Sequence, residues 1–299
     1  MRVLVTGGSG AMGSKFVTEL AKGGNDVLYT YLSRDAPVHG GASKSLDVTD
    51  KESVSEVVSG FGPDTVLHLA ALTNADLCET NPSLADAVNV RGTENIAEAC
   101  KKAGSRIVFM SSAFVFDGSK PAFSEDDAPR PINQYGRSKL AAERCVEKSG
   151  QPFMILRTDL PYRWSPRHVE KNNIMKLIRA FESGEKYREI TDWFNTPTLV
   201  DDLVTVTNAL IGDWEDGTYH VAGPDFVSRY EFASRVASAM GKDPESILGI
   251  KSVDLNLPAK RPNVFLRSDK AESKTGIRMR SLDDGIEEVL RQASVERSG

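Results

Sequence analysis

Cysteine is scarce in this sequence, and long apolar runs are absent from it. The three cysteines, Cys78, Cys100 and Cys145, are odd in number and far apart, and no two of them form a C-x-x-C pair. This spacing argues against a disulfide framework and against a zinc site. No apolar run approaches the roughly 18 residues of a membrane span, and a predicted strand follows Met1 almost at once, without a signal peptide. We therefore expect a cytoplasmic protein with reduced thiols and no membrane partner.

An excess of basic charge is also missing. The 299 residues include 37 lysines and arginines against 42 aspartates and glutamates, a net charge of −5, so no global positive field favours nucleic acid as a partner. The acidic run Glu125-Asp126-Asp127 has no spaced partner ligands, and a solvated loop is expected there rather than a metal site.

The first half of the chain alternates apolar strands with helices. Strands are predicted over residues 2–6, 26–32, 43–48, 64–71, 106–112 and 152–158, and helices over 12–24, 51–61, 83–104 and 133–150. Apolar strands separated by helices are typical of a parallel sheet that is covered on both faces. The sequence therefore predicts an α/β fold, a Rossmann-type doubly wound parallel sheet.

The pattern breaks after Thr158, where polar, irregular segments separate further helices. We expect helices over 174–184, 199–212, 228–241 and 281–293, a returning strand over 218–223, and loops over 190–198 and 255–277. Residues 1–158 are assigned to a dinucleotide-binding domain, to which 198–222 return. Residues 159–197 and 223–299 are assigned to a small α/β C-terminal substrate-binding cap.

A glycine-rich turn follows the first predicted strand and opens the first helix. It can be read as G-x-x-G-x-x-G or, starting one residue later, as G-x-G-x-x-G. Glycine allows the tight turn and the close approach of a pyrophosphate, which the helix N-terminus then attracts. The residues expected to contact a dinucleotide here are Gly7, Ser9, Gly10, Ala11, Met12 and Gly13; the alternative is a tight turn without a ligand.

The end of the second strand indicates which dinucleotide is preferred. An acidic residue at that tip would bind the ribose 2′-hydroxyl of NAD, but the strand runs into Ser33 and Arg34 instead. Arg34 can pair with a 2′-phosphate and Ser33 can add a hydrogen bond. NADP is therefore favoured and NAD is the alternative. If Arg34 contacts no cofactor, it is a solvated arginine in a loop.

Two further segments are expected beside the same cofactor. Asp47 and Val48 follow the third strand and suit the adenine edge, although a helix N-cap region would explain them equally. The fourth strand ends in Leu69, Ala70 and Ala71, whose small side chains allow a close approach. His68, just before them, is expected to be a packed strand residue rather than a catalytic base.

Tyr135 and Lys139 lie four residues apart on the helix after the fifth strand. This spacing places both side chains on one helix face, and a neighbouring ammonium is expected to lower the pKa of the phenol toward neutral pH. The fifth strand ends in Ser111 and Ser112, and a hydroxyl there can hydrogen-bond a reacting carbonyl. These residues predict acid–base chemistry beside the cofactor.

Six motifs in order, "TGGSGAMG", "HLAA", "VNVRGTEN", "MSSAFVFDG", "YGRSK" and "ILRT", resemble the extended short-chain dehydrogenase/reductase superfamily. The stretch "SSAFVFDGSKPAFSEDDAPRPINQYGRSKLAAE" and the later "TPTLVDDL" and "RPNVFLRSDKAESKTGI" are similar to its dTDP-4-dehydrorhamnose reductase-like branch. That branch usually has Thr-Asp-Tyr before "VFDG", where this chain has Ser112-Ala113-Phe114.

The resemblance implies an enzyme, an NAD(P)H-dependent reductase of a nucleotide-linked 4-keto-deoxysugar. It implies catalytic roles for Ser112, Tyr135 and Lys139, with Tyr135 and Lys139 also touching the cofactor. It places Asn89 on the relay side of the site and among the cofactor contacts, with an ordinary polar helix residue as the alternative. The residues expected to contact the nucleotide-sugar substrate are Ser112, Ala113, Phe114, Trp164, Trp193 and Arg261. For the two tryptophans core packing is the alternative, and for Arg261 a surface position.

Two other functions stay open at this point. One is an NAD-dependent sugar-nucleotide epimerase or dehydratase, which would use the same three residues and regenerate its cofactor. The other is a non-catalytic NADP-binding regulatory subunit, against which the presence of Tyr135 and Lys139 speaks. A homodimer is one assembly that the sequence allows.

Overall fold

The computed structural model describes residues 1–33, 38–165 and 172–298. Its centre is a seven-stranded sheet of β1 (Arg2–Thr6), β2 (Asp26–Tyr31), β3 (Ala42–Ser45), β4 (Thr65–His68), β5 (Arg106–Ser112), β6 (Phe153–Thr158) and β11 (Gly217–His220). The strand order is β3-β2-β1-β4-β5-β6-β11, and every neighbouring pair is parallel. The predicted Rossmann-type sheet is confirmed.

Helices cover both faces of this sheet, because its strands are apolar on both sides. One face packs on α1 (Gly13–Lys22) and α8 (Val200–Gly212). The other face packs on α2 (Lys51–Phe61), α5 (Gly92–Ala103) and α6 (Gln134–Lys148). The strand order reverses between β1 and β4, and the crevice at the carboxyl ends beside this point is where such sheets bind ligands.

The helix predicted over 83–104 is not regular. It consists of α4 (Pro82–Ala85), a π-helical segment (Asp86–Arg91) and α5, and it follows a short helix, α3 (Ala75–Thr80). π-helical turns are rare and are often found at functional sites. This one carries Asn89, whose side chain is buried.

The remaining elements form a second apolar cluster beyond β6. Its helices are α7 (Asn173–Ser183), α9 (Arg229–Ala239) and α11 (Leu282–Ser298). Its strands form three two-stranded sheets: β7 (Pro161–Tyr162) with β10 (Thr198–Leu199), β9 (Phe194–Asn195) with β12 (Val227–Ser228), and β8 (Tyr187–Ile190) with β13 (Ile247–Ile250). The two predicted loops are only partly irregular. The first contains β9 and β10, and the second contains α10 (Asp269–Thr275), whose Ala271 packs under α8.

No helix among the described residues is long and apolar enough to cross a membrane.

Candidate functional site

A cavity of about 590 Å³ opens at the carboxyl ends of β1, β4, β5 and β6. Most of the residues expected to bind cofactor or substrate line it together: Gly7, Ser9, Gly10, Ala11, Met12, Gly13, Ser33, Asp47, Val48, Leu69, Ala70, Ala71, Ser112, Phe114, Tyr135, Lys139 and Trp193. This volume is typical of a pocket for an organic ligand. Arg34 lies outside the described residues, whereas Asn89, Ala113, Trp164 and Arg261 are not part of the cavity wall.

The glycine-rich turn packs too tightly for side chains. Gly7 has φ +67°, and a Cβ on Gly13 would lie 2.3 Å from the carbonyl oxygen of Gly7. Within the described residues, the backbone N–H groups of Ala11, Met12 and Gly13 donate no hydrogen bond, and no acidic residue occupies the first turn of α1. Free N–H groups at a helix N-terminus favour an anion, so the turn fits the pyrophosphate of a dinucleotide.

A buried histidine supports the wall beside this turn. The Nδ1 of His68 lies 2.6 Å from the Thr6 hydroxyl, and its Nε2 lies 3.1 Å from the Thr93 hydroxyl. Thr6 Oγ1 also accepts hydrogen bonds from the backbone N–H groups of Leu69 and Ala70. Burial lowers the pKa of His68 to about 3. The imidazole is therefore neutral at pH 7 and holds the strand end in place, as expected of a packed strand residue.

Asn89 lies one layer behind the cavity. Its amide donates to the Leu72 carbonyl oxygen at 3.0 Å and to the Ser138 hydroxyl at 2.9 Å, and its Oδ1 accepts from the Leu72 backbone N–H at 2.7 Å. These bonds tie the loop after β4 to α6. Asn89 thus joins the two segments that carry Ala70–Ala71 and Tyr135, without reaching the cavity itself.

Tyr135 and Ser112 both line the cavity, and the Ser112 hydroxyl is near enough to the phenol to influence its pKa. Asn133 caps α6 by accepting from the backbone N–H of Gly136 at 2.8 Å, which fixes the first turn on which Tyr135 lies. Burial raises the pKa of Tyr135 to about 12, although the Ser112 hydroxyl opposes the rise. This direction is opposite to the lowered value expected from the sequence, because burial outweighs the neighbouring groups.

Lys139, one helical turn after Tyr135, is fully enclosed at the same wall. Its ammonium nitrogen lies 2.7 Å from the Met110 carbonyl oxygen and 4.0 Å from the centre of the Phe109 ring. Burial lowers the pKa of Lys139 to about 7, and the negative charge of Glu143 opposes this change. The group therefore titrates in the neutral range, where its charge can respond to a ligand.

A buried ion pair anchors this part of α6 to the sheet. Arg157 on β6 donates to both carboxylate oxygens of Glu143, at 2.9 and 2.7 Å, and the Ser111 hydroxyl donates to Glu143 at 2.5 Å. Because Glu143 is one turn beyond Lys139, the pair fixes the helix that carries the two predicted catalytic side chains.

Two aromatic side chains, Phe114 and Trp193, line the cavity next to Tyr135, and two guanidinium groups contact Trp193. The ring of Phe114 meets Tyr135 edge-on at 5.4 Å and Trp193 at 6.3 Å. The Trp193 ring lies within reach of two cations, Arg229 at 5.4 Å and Arg261 at 5.3 Å. Arg261 also pairs with Asp76 at 2.6 Å. Arg229 likewise pairs with Glu189 at 3.7 Å, and neither arginine lines the cavity, so these contacts hold Trp193 in position.

Sequence reasoning missed two charged residues of the wall, Asp159 and Arg163. Asp159 is 5% exposed, and burial raises the pKa of its carboxyl group to about 6. Arg163 donates from Nη1 to the Ala11 carbonyl oxygen and to the Ser14 hydroxyl, both at 3.1 Å. An available signal was their position, since both come within five residues of the end of the sixth strand.

The family model of the RmlD substrate binding domain matches residues 1–295. A probable low-salt glycan biosynthesis reductase of Haloferax volcanii is 31% identical over 293 residues, which are 96% of each chain. Methionine adenosyltransferase 2 subunit beta of Xenopus laevis is 29% identical over 296 residues, 97% of this chain and 87% of the relative.

Two solved structures have the same fold over nearly their whole length. The dTDP-4-dehydrorhamnose reductase of Bacillus anthracis in complex with NADP has a TM-score of 0.86 and 28% identity, covering 97% of this chain and 99% of that chain. MoeE5 in complex with UDP-glucose and NAD also has a TM-score of 0.86 and 28% identity, and the match covers 99% of each chain. The resemblance inferred from the sequence motifs is confirmed.

Proposed function

This chain belongs to the RmlD substrate binding domain family, within the extended short-chain dehydrogenases/reductases, and we propose that it is an NAD(P)H-dependent reductase of a nucleotide-linked 4-keto-deoxysugar. The match runs over nearly the whole chain, and the B. anthracis reductase of that substrate class has the same fold with NADP bound. dTDP-4-dehydrorhamnose is the substrate that these relationships support best.

The observation that carries this proposal is that Ser112, Tyr135 and Lys139 line one cavity together, with Lys139 one helical turn after Tyr135 on α6. In the proposed reaction Ser112 donates a hydrogen bond to the substrate carbonyl oxygen, and Tyr135 gives its proton to the alkoxide that develops there. The positive charge of Lys139 stabilises the phenolate that Tyr135 becomes. Phe114 and Trp193 are proposed to bound the substrate on the outer side.

The glycine-rich turn, Ser33, Asp47–Val48 and Leu69–Ala71 are proposed to hold the dinucleotide along the inner half of the cavity. When bound, the reduced nicotinamide supplies the hydride that the carbonyl carbon receives. NADP is the favoured cofactor, because the tip of β2 offers Ser33 and no acid, and NAD is the alternative. The absence of an acidic residue in the first turn of α1 suits either dinucleotide.

Finer aspects of the assignment are also proposals. The division into residues 1–158 with 198–222, and a cap of 159–197 with 223–299, is supported by the pairing of β11 with β6 and by the separate apolar cluster of α7, α9 and α11. A homodimer in the cytoplasm remains our prediction for the assembly and its location. Light scattering on the purified protein measures the first, and cell fractionation the second.

The proposed function is tested by following NADPH oxidation with dTDP-4-dehydrorhamnose, in the wild type, in Tyr135→Phe and in a matched control, Tyr230→Phe. We expect turnover in the wild type and the control, and a loss on the order of 10²–10⁴-fold in Tyr135→Phe, because general acid catalysis contributes about that much. Tyr230 lies on α9 in the second apolar cluster, away from the cavity.

Two outcomes would contradict the proposal. Turnover that Tyr135→Phe retains would remove Tyr135 as the proton donor. A wild-type protein that binds NADPH but turns over no nucleotide sugar would instead favour the non-catalytic binding subunit. The name of the X. laevis relative describes a protein subunit.

A further inference from the structure

Asp159 is a carboxylate in the wall of the cavity that the proposed reaction does not use. It directly follows β6, whose last residue, Thr158, pairs with Ser112 at the end of β5. Its negative charge also reaches the phenol: after burial, the charges of Cys78 and Asp159 add to the rise in the pKa of Tyr135. Asp159 therefore lies at the end of the cavity where the carbonyl of a substrate would react.

Among the described residues, no cation forms a salt bridge with this carboxylate. Arg229 is the cation whose charge favours its ionised form, but Arg229 pairs with Glu189 at 3.7 Å and forms no salt bridge with Asp159. Burying an unpaired carboxylate costs free energy that an apolar or amide side chain would not. A chain that keeps such a group at a cavity wall keeps it for a ligand or for a structural contact.

The backbone at this point is also strained. Leu160, the next residue, has φ +37°, in the left-handed region that favours glycine. Strain of this kind costs roughly 1–3 kcal/mol and concentrates at functional sites. Here it turns the chain so that the Leu160 backbone N–H donates to Asp159 Oδ1 at 3.0 Å. A buried carboxylate without a salt bridge and a strained backbone thus occur at two successive residues, Asp159 and Leu160, beside Tyr135.

The hydrogen bonds of Asp159 leave room for one more donor. Its Oδ2 accepts from the Thr196 backbone N–H at 2.8 Å and from the Asn195 amide at 3.1 Å. Within the described part of the chain, its Oδ1 accepts from the Leu160 backbone N–H at 3.0 Å, and the Asn195 amide is 3.4 Å away. An ionised carboxylate offers about four acceptor positions, so Oδ1 can accept a further hydrogen bond from a group in the cavity.

We propose that Asp159 determines substrate specificity by accepting a hydrogen bond from the sugar hydroxyl on the carbon next to the reacting carbonyl. This inference rests on the proposed function, because it concerns the substrate of that same reaction. A sugar hydroxyl is a neutral donor, and a fixed carboxylate is a strong acceptor for it. A site built to bind a hydroxyl discriminates against an analogue that lacks it, since its own polar group is then left without a partner.

The test compares dTDP-4-dehydrorhamnose with its 3-deoxy analogue by the ratio of kcat/KM. We expect the wild type to prefer the hydroxylated substrate by at least about tenfold, the usual effect of a hydrogen bond to a charged group. Asp159→Ala should bring this ratio close to one, and Asp159→Asn should lower it several-fold. The exposed Asp243, which caps a short turn, provides a matched control in Asp243→Asn with an unchanged ratio.

A purely structural role would give a different result. If Asp159 only holds Asn195 and Thr196 in place, its variants should slow both substrates equally and leave the ratio at the wild-type value, which would overturn the inference. Asp159→Asn keeps the shape of the side chain and provides the same comparison if Asp159→Ala does not fold. No turnover of either substrate by the wild type would contradict the proposed function instead, and equal turnover of both would contradict only the specificity.

Discussion

The ammonium group of Lys139 lies 2.7 Å from the backbone carbonyl oxygen of Met110, so that α6 is bonded directly to the end of β5. The contact holds the helix face with Tyr135 against the strand that ends in Ser112. The same packing of α6 on β5 buries the ammonium group, and this burial lowers the pKa of Lys139 to about 7. The packing therefore sets both the geometry and the charge of the proposed catalytic group.

Reduction should slow as the pH rises through neutrality. Below pH 7 Lys139 is protonated and stabilises negative charge on Tyr135; above it the ammonium loses its proton and this support is lost. We expect kcat/KM for NADPH-dependent reduction to fall above about pH 7, as measured by a pH–rate profile. Lys139→Met should be at least about 10²-fold slower and should lack this limb. A wild-type profile that stays flat to alkaline pH would contradict the assignment.

Asp159 should reduce stability at neutral pH. Its carboxyl pKa is raised to about 6 in the folded protein from an ordinary 3.8, so between these values the folded state binds more protons than the unfolded state. Stability then falls as the pH rises. We expect the free energy of unfolding of the wild type, relative to Asp159→Asn, to decrease by about 2 kcal/mol between pH 4.5 and pH 7.5. Urea unfolding at the two pH values measures this difference, and a difference that does not change with pH would show that the carboxyl is not perturbed.

Arg163 is expected to strengthen cofactor binding. Its guanidinium is bonded to Ala11 and Ser14 at the N-terminus of α1, where the proposed pyrophosphate site lies. Removing this positive charge in Arg163→Ala should weaken NADPH binding by about tenfold or more, measured by quenching of protein fluorescence. Arg291→Ala is the matched control, because Arg291 is bonded to Glu288 on the surface of α11 and lies far along the chain from the turn. Equal dissociation constants for wild type and Arg163→Ala would refute this role.

The features that the sequence predicted depend on local neighbours, whereas those it did not predict depend on contacts between distant parts of the chain. The glycine-rich turn and the Tyr135/Lys139 pair depend on neighbours within one strand or one helical turn, and such local patterns are visible in the sequence. Arg163 reaches Ala11 across 152 residues of chain, and Asp159 meets Asn195 across 36. These contacts exist only once the elements after β6 pack on the glycine-rich turn, so residue type and spacing did not predict them. The pKa of Tyr135 differed from expectation for the same reason, since burial is a property of the whole fold.

Two glycines in helices should respond in opposite ways to alanine. A Cβ on Gly13 would lie 2.3 Å from the Gly7 carbonyl oxygen, a distance that forces the turn and α1 apart. For Gly60 on α2, apart from its chain neighbours and the backbone of its own helix, no atom lies within 4 Å of the position that a Cβ would take. We expect Gly60→Ala to raise the free energy of unfolding by about 0.5–1 kcal/mol, because alanine loses less backbone entropy than glycine in a helix. Gly13→Ala should lower the free energy of unfolding and should also weaken NADPH binding, since the backbone N–H groups of the turn would be displaced.

Thermal unfolding with and without NADPH distinguishes the loss of stability from the loss of NADPH binding. If the turn only connects β1 to α1, NADPH should raise the unfolding temperature of Gly13→Ala as much as that of the wild type.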